Sequence, residues 1–428
     1  MKTFNKKSLE INFDFSNKIN TVILAEYFCL LYSNKFIYQN EQMYYFNGVY
    51  WEAEHKSELT ILNIFLGKTF YKQLIDEFKI YKKKNNPKDS DDKKGIFEKI
   101  LTKLEDLVNY DKRIKIVREC IHFLTNNKIQ FDENPLLFAF ENKFFDLVES
   151  KFINPEPTQY ISITTGYDYE DGSNKIDELH KLFKSIFPNQ EIRELYLTLL
   201  STGLDGIPLE KFILANGQGG NGKGLLNELT SFMLGNYAYV LPSNLLLGTI
   251  KAGSNTELGL LNKKRFVVSR EPDSNLQLNC NTIKEITGGD ELNARVIYSK
   301  NTKVNLHLSF FLECNERPKL NEVNDALRRR IVDVLFGQKF VEKQEYEDTM
   351  EDMTDEERKY CKIGLINPLY KQKKFKNDFK CSLFIILSQY YKKFHDNNRS
   401  LVLPVETIQR NNNYMVGSDD MYSWIINN

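Results

Sequence analysis

Phe212-Ile213-Leu214-Ala215-Asn216-Gly217-Gln218-Gly219-Gly220-Asn221-Gly222-Lys223-Gly224-Leu225 decides how the rest of the chain is read. The apolar run at its start has the character of a buried strand, and Leu225 to Leu229 suits a helix. Between them, Gly217 to Lys223 has the spacing G-x-x-x-x-G-K, a phosphate-binding loop when flanked by a strand and a helix. Glycines let successive N–H groups face phosphate oxygens, and the helix presents its N-terminus to the same charge. The reading assigns phosphate contact to Gly217, Gly219, Gly220, Asn221, Gly222, Lys223, Gly224 and Leu225, with Lys223 bridging the β- and γ-phosphates. Gly224 stands where the motif normally carries a Ser or Thr hydroxyl for magnesium. A glycine-rich turn before a helix, without a ligand, is the plainer alternative.

Downstream segments narrow the choice. Phe266-Val267-Val268-Ser269-Arg270-Glu271 is an apolar strand ending in an acid, the form of a Walker B strand. Glu271 is then the group that polarises an attacking water. Taken alone, the segment reads better as an ordinary core strand with an acidic end, and its place after the glycine loop shifts the balance. Leu308 to Cys314 reads as another strand, with Asn315 at its tip, placed to hold a water or simply to form a turn. Arg328-Arg329-Arg330 precedes the strand-like Ile331 to Phe336. These arginines either cap local carbonyls or stabilise transition-state charge on a neighbouring subunit's nucleotide. Two short strands around Lys300 and Lys303 read as a hairpin, whose tip is solvated or directed at a phosphate backbone.

Composition bounds the rest. The 428 residues allow two or three domains, and the formal net charge of +0 gives no global attraction to nucleic acid. The N-terminus lacks the apolar core of a signal peptide, and no apolar run is long enough to span a membrane. Six scattered cysteines without a C-x-x-C pair suit a reducing compartment. These features predict an intracellular protein without a membrane segment.

Along the chain, residues 1–175 are expected to form a mainly helical N-terminal domain with short strands. Asn47-Gly48 is expected to be a two-residue hairpin turn. Strands are expected near 136–140, 143–147 and 160–165, and an exposed charged loop over 82–95. Residues 176–340 alternate strands and helices, which argues an α/β core. Residues 341–428 are expected to form a small helical C-terminal region with a polar tail.

In this order, the segments resemble the superfamily 3 helicases, and more closely the helicase part of the primase–helicases of poxviruses, giant viruses and some phages. The resemblance is carried by Asn216 to Gly224, Phe266 to Pro272, Ile283 to Asp290 with Arg295, Cys314 to Pro318, and Asp325 to Ile331. It implies an AAA+-like P-loop core assembling as a hexameric ring, with ATP and Mg2+ between subunits and single-stranded DNA in the pore. By the same resemblance Lys223, Glu271 and Asn315 are catalytic, Arg330 and then Arg329 act in trans, and Lys300 and Lys303 contact DNA. With Gly224 and a single Walker B acid, magnesium falls to phosphates, water, Glu271 and Ser269. A primase or polymerase is an implied partner, and a viral replication compartment the implied setting.

Overall fold

The computed structural model describes residues 12–54, 60–86, 93–248, 256–272, 277–289, 291–294 and 302–418. It divides into two compact units, one of Met1–Glu133 with Pro155–Ser162, the other of Asn134–Asn154 with Ile163–Asn428.

The first unit is helical around a small sheet. Helix Thr21–Tyr32 starts where the Asn20 side chain accepts the Ile23 N–H, and helix Tyr110–Leu124 starts the same way at Asn109. Leu24, Phe28, Leu62, Phe70, Ile116 and Cys120 fill the core that they share with the intervening helices. Strands Phe36–Gln39, Gln42–Phe46 and Trp51–Glu54 form an antiparallel sheet. Its second turn is longer than the Asn47-Gly48 reading expects, because Phe46 pairs with Trp51 and leaves four residues between them. The cause is the Asn47 side chain, which accepts the N–H groups of both Val49 and Tyr50. Helices also reach into the expected charged loop, as far as Asn85 and again from Lys94; residues 87–92 lie outside the described set.

The second unit is built on five parallel strands: β1 (Phe212–Asn216), β2 (Ala238–Leu241), β3 (Phe266–Arg270), β4 (Ser309–Cys314) and β5 (Ile331–Leu335). Their order across the sheet is β5-β1-β4-β3-β2. Every residue of β1 and β4 is buried, as expected for a parallel sheet covered on both faces. One face carries Ile213, Ala215, Val268 and Phe311 against helices Ile176–Ile186, Gln190–Ser201, Lys223–Leu234 and Lys373–Asp396. The other carries Leu214, Val267 and Leu312 against helices Cys280–Gly288 and Val405–Gly417. The molecule is mixed α/β, with a parallel sheet at the heart of this unit.

Two elements differ from the sequence expectation. Residues 160–165 do not form a strand; Lys151–Ile153 completes the antiparallel sheet with Leu137–Ala139 and Phe144–Asp146. The polar C-terminal stretch holds a helix, Val405–Gly417, whose buried positions Thr407, Asn411, Tyr414 and Met415 repeat with helical spacing. Asn411 is buried because its Oδ1 accepts the Asp333 N–H at 2.8 Å, closing the outer edge of β5. Among the described residues no helix is long and apolar enough to cross a membrane.

Candidate functional site

Parallel strands deliver their last residues to one edge, and the reversal of strand order beside β1 opens a crevice there. The glycine loop leaves β1 at that edge. Gly217 has φ +148°, and a β-carbon on it would lie 2.5 Å from both Asn221 Nδ2 and the Phe336 carbonyl. Gly222, at φ +89°, caps the Lys223 helix, and a β-carbon there would strike Ile186. The loop is pinned from outside as well. Phe340 donates its N–H to the Gly220 carbonyl at 2.7 Å, and Asn221 Nδ2 donates to the Phe336 carbonyl at 3.3 Å. Asn221 Oδ1 in turn accepts the Lys223 N–H.

Lys223 is buried, and its ammonium donates to the Gly217 carbonyl and to Asn315 Oδ1, each at 2.6 Å. Asn315 Nδ2 donates to Glu271 Oε1 at 3.2 Å. Asn315 follows the end of β4, and Glu271 follows the end of β3 with φ +43°, its N–H bonded to the Glu313 carbonyl. Three residues that sequence reasoning placed on separate segments are thus joined in one hydrogen-bonded line. Burial lowers the Lys223 pKa, against the opposing pull of Glu313, Cys314 and Glu271. A cavity of about 720 Å³ opens beside the line, with Gly219 to Leu225, Glu271 and Asn315 on its wall. Its apolar side comes from Leu182, Ile186, Phe340, Ile366 and Tyr370.

Other expected residues lie elsewhere. Ser269 is fully buried on the sheet face that carries Val267 and Leu312, away from the Lys223 helix, and its hydroxyl has no partner among the described residues. Arg329 and Arg330 precede β5, so they sit at the opposite end of the sheet from Gly217, about 17 Å away along a five-residue strand. Arg330 is held by the Ala326 carbonyl at 3.0 Å and Glu210 at 3.2 Å, whereas Arg329 is exposed. Both border a second cavity with Lys211 and Arg399. Lys300 and Arg295 lie outside the described residues; Lys303 is on strand Thr302–Asn305, where its backbone is paired with Asn293.

Glu313 is the site residue that sequence reasoning missed. It lies on β4 with 5% exposure, lines the cavity, and accepts Asn227 Nδ2 at 2.9 Å. Burial raises its pKa, opposed by Asn227, Arg270 and Lys223. The available signal was a charged residue inside a strand with two buried faces.

Residues 25–188 match the family described as D5 N terminal like. A candidate helicase of Acanthamoeba polyphaga mimivirus is 29% identical over 340 residues, across 74% of this chain and 34% of its own. Primase D5 of Fowlpox virus (strain NVSL) is 26% identical over 307 residues, across 68% and 37%. Residues 25–188 thus carry a D5 N-terminal-like domain, and the chain is similar to a viral primase and to viral candidate helicases. A third relative, a candidate helicase of Invertebrate iridescent virus 3, is 26% identical over 380 residues, across 79% of this chain and 40% of its own. The chain therefore spans between about a third and two fifths of the length of these relatives.

Proposed function

We propose that this chain is the ATP-hydrolysing motor of a viral replicative DNA helicase, with an AAA+-like P-loop core, acting as a hexameric ring on single-stranded DNA. The observation that carries the reading is the Lys223–Asn315–Glu271 line at the mouth of the glycine loop. Lys223 holds the β- and γ-phosphates once it leaves the Gly217 carbonyl. Asn315 positions a water between itself and Glu271, and Glu271 takes that water's proton. The apolar wall around Ile186, Phe340 and Tyr370 receives the base, and the cavity volume lies in the range of ligand sites. Magnesium, when bound, neutralises phosphate charge, and carboxylates of this chain are the hard oxygen donors that it favours.

Because Arg329 and Arg330 sit at the far end of the sheet from their own loop, they suit a nucleotide on a neighbouring subunit. Lys300 and Lys303 are assigned to the DNA backbone in the ring's channel. A primase or polymerase is the expected partner, in a viral replication compartment. DNA-stimulated ATP hydrolysis together with strand displacement tests this reading. A second reading, an ATP-dependent DNA-loading ring with weak hydrolysis, is favoured by Gly224 and by Arg270 in place of an acid. It predicts ring assembly on single strands without unwinding.

A further inference from the structure

Two departures from the usual nucleotide site converge on one side chain. Position 224 lacks the hydroxyl that normally reaches the metal, and position 270 is arginine where a Walker B strand often carries a second acid. Glu313 faces both. It is the register partner of Arg270 across β3 and β4, on the face that the Lys223 helix covers. A β-carbon built on Gly224 would find a single neighbouring atom within 4 Å among the described residues, Glu313 Oε2 at 3.7 Å. The space left by the missing hydroxyl therefore opens onto this carboxylate.

The side chain is only partly satisfied. Oε1 accepts Asn227 Nδ2, and Oε2 has the Arg270 Nε at 3.6 Å, too long for a hydrogen bond. Arg270 is shared with Glu228, at 3.3 Å. A carboxylate buried to this extent normally has its lone pairs filled. Glu313 lines the cavity beside the phosphate loop, with Oε2 the oxygen that approaches position 224.

We propose that Glu313 is the magnesium-directed carboxylate of this site, replacing both the hydroxyl absent at Gly224 and the acid absent at position 270. The inference rests on the loop being a triphosphate site. Magnesium takes one or two protein carboxylates and completes its shell with phosphates and water. Asn227 fixes one oxygen of Glu313, and the charges of Arg270 and Lys223 oppose the burial that disfavours its carboxylate form. Glu271 is then left to act on water. Gly224 is tolerated because the metal-directed oxygen comes from the adjacent strand instead of from the helix.

The test is binding of a fluorescent, non-hydrolysable ATP analogue to the full chain, titrated with Mg2+ and repeated without it. Wild type gains affinity from Mg2+. Glu313→Gln keeps its metal-free affinity, and its Mg2+ midpoint rises about 10- to 100-fold. Adding Gly224→Ser to that variant brings the midpoint back toward wild type; the serine fits, since position 224 has open space and no left-handed backbone. An unchanged Mg2+ midpoint in Glu313→Gln, with folding verified by its melting curve, overturns the proposal and leaves Glu313 as the ion-pair partner of Arg270. If the glutamine variant does not fold, Glu313→Asp is read instead, and an unchanged midpoint there has the same force. A wild type that binds no analogue at any Mg2+ concentration overturns the triphosphate reading and this inference with it.

Discussion

Lys223 Nζ and Asn315 Oδ1 lie 2.6 Å apart, although 92 residues separate them in the chain. The contact joins the start of the loop helix to the tip of β4, and Asn315 passes the connection on to Glu271 at 3.2 Å. Asn315 is the hinge of this line, because its amide accepts from the cation on one side and donates to the acid on the other. Replacing it with alanine leaves Lys223 the Gly217 carbonyl and leaves the loop intact. Asn315→Ala is expected to keep nucleotide affinity within a few-fold while lowering the hydrolysis rate on the order of 10²-fold. Parallel binding and single-turnover measurements separate the two effects.

Glu313 gives a pH signature. Burial raises its pKa in the folded chain. An acid with a raised folded pKa contributes stability that is complete below the ordinary carboxylate range and is lost as pH rises through the raised value. Ionising the buried group therefore costs stability. Glu313→Gln removes that titration. Its melting temperature relative to wild type is expected to be lowest in acid and to climb as pH rises toward 7. A difference that is constant with pH contradicts the assignment.

The loop glycines are not equivalent. Gly217 combines φ +148° with two contacts at 2.5 Å, whereas Gly219 has no left-handed backbone and nothing within 4 Å of its would-be β-carbon. Gly217→Ala is expected to lower stability by about 1–3 kcal/mol through strain and overpacking. Gly219→Ala is expected to fold as wild type does. Denaturant melts of the two variants check the contrast.

Arg329 is the freer of the two arginines expected to act in trans, since Arg330 is engaged by Glu210 and the Ala326 carbonyl. Arg329→Ala is expected to bind nucleotide normally and to hydrolyse it slowly. Mixing it with Glu271→Gln subunits, which keep the arginine but lack the base, should restore part of the activity. Simple additivity of the two inactive preparations contradicts a site shared between subunits.

Much of this site was legible in the sequence because its residues sit at the ends of strong signals. The glycine spacing marked Lys223, and two apolar strands ended visibly at Glu271 and Asn315. The residues that support them were harder to see. Glu313 lies inside an apolar strand, and its bond from Asn227, its register with Arg270 and its approach to Gly224 come from distant parts of the chain. The Val405–Gly417 helix escaped because two of its buried positions, Thr407 and Asn411, are polar, and Asn411 is buried by a hydrogen bond to the β5 backbone. Residues 160–165 alternate like a strand, yet the Trp51 N–H to the Ile161 carbonyl and the Thr165 N–H to the Ala139 carbonyl are single bonds to different strands, and no ladder forms. In each case a tertiary partner, invisible in local pattern, decides the outcome.

The measurement that bears most directly on the account is ATP hydrolysis by the full chain, with and without single-stranded DNA, compared between wild type and Lys223→Ala. The account predicts hydrolysis stimulated by DNA in wild type and a fall on the order of 10²-fold or more in the variant, whose fold is retained. Hydrolysis that survives Lys223→Ala unchanged contradicts it.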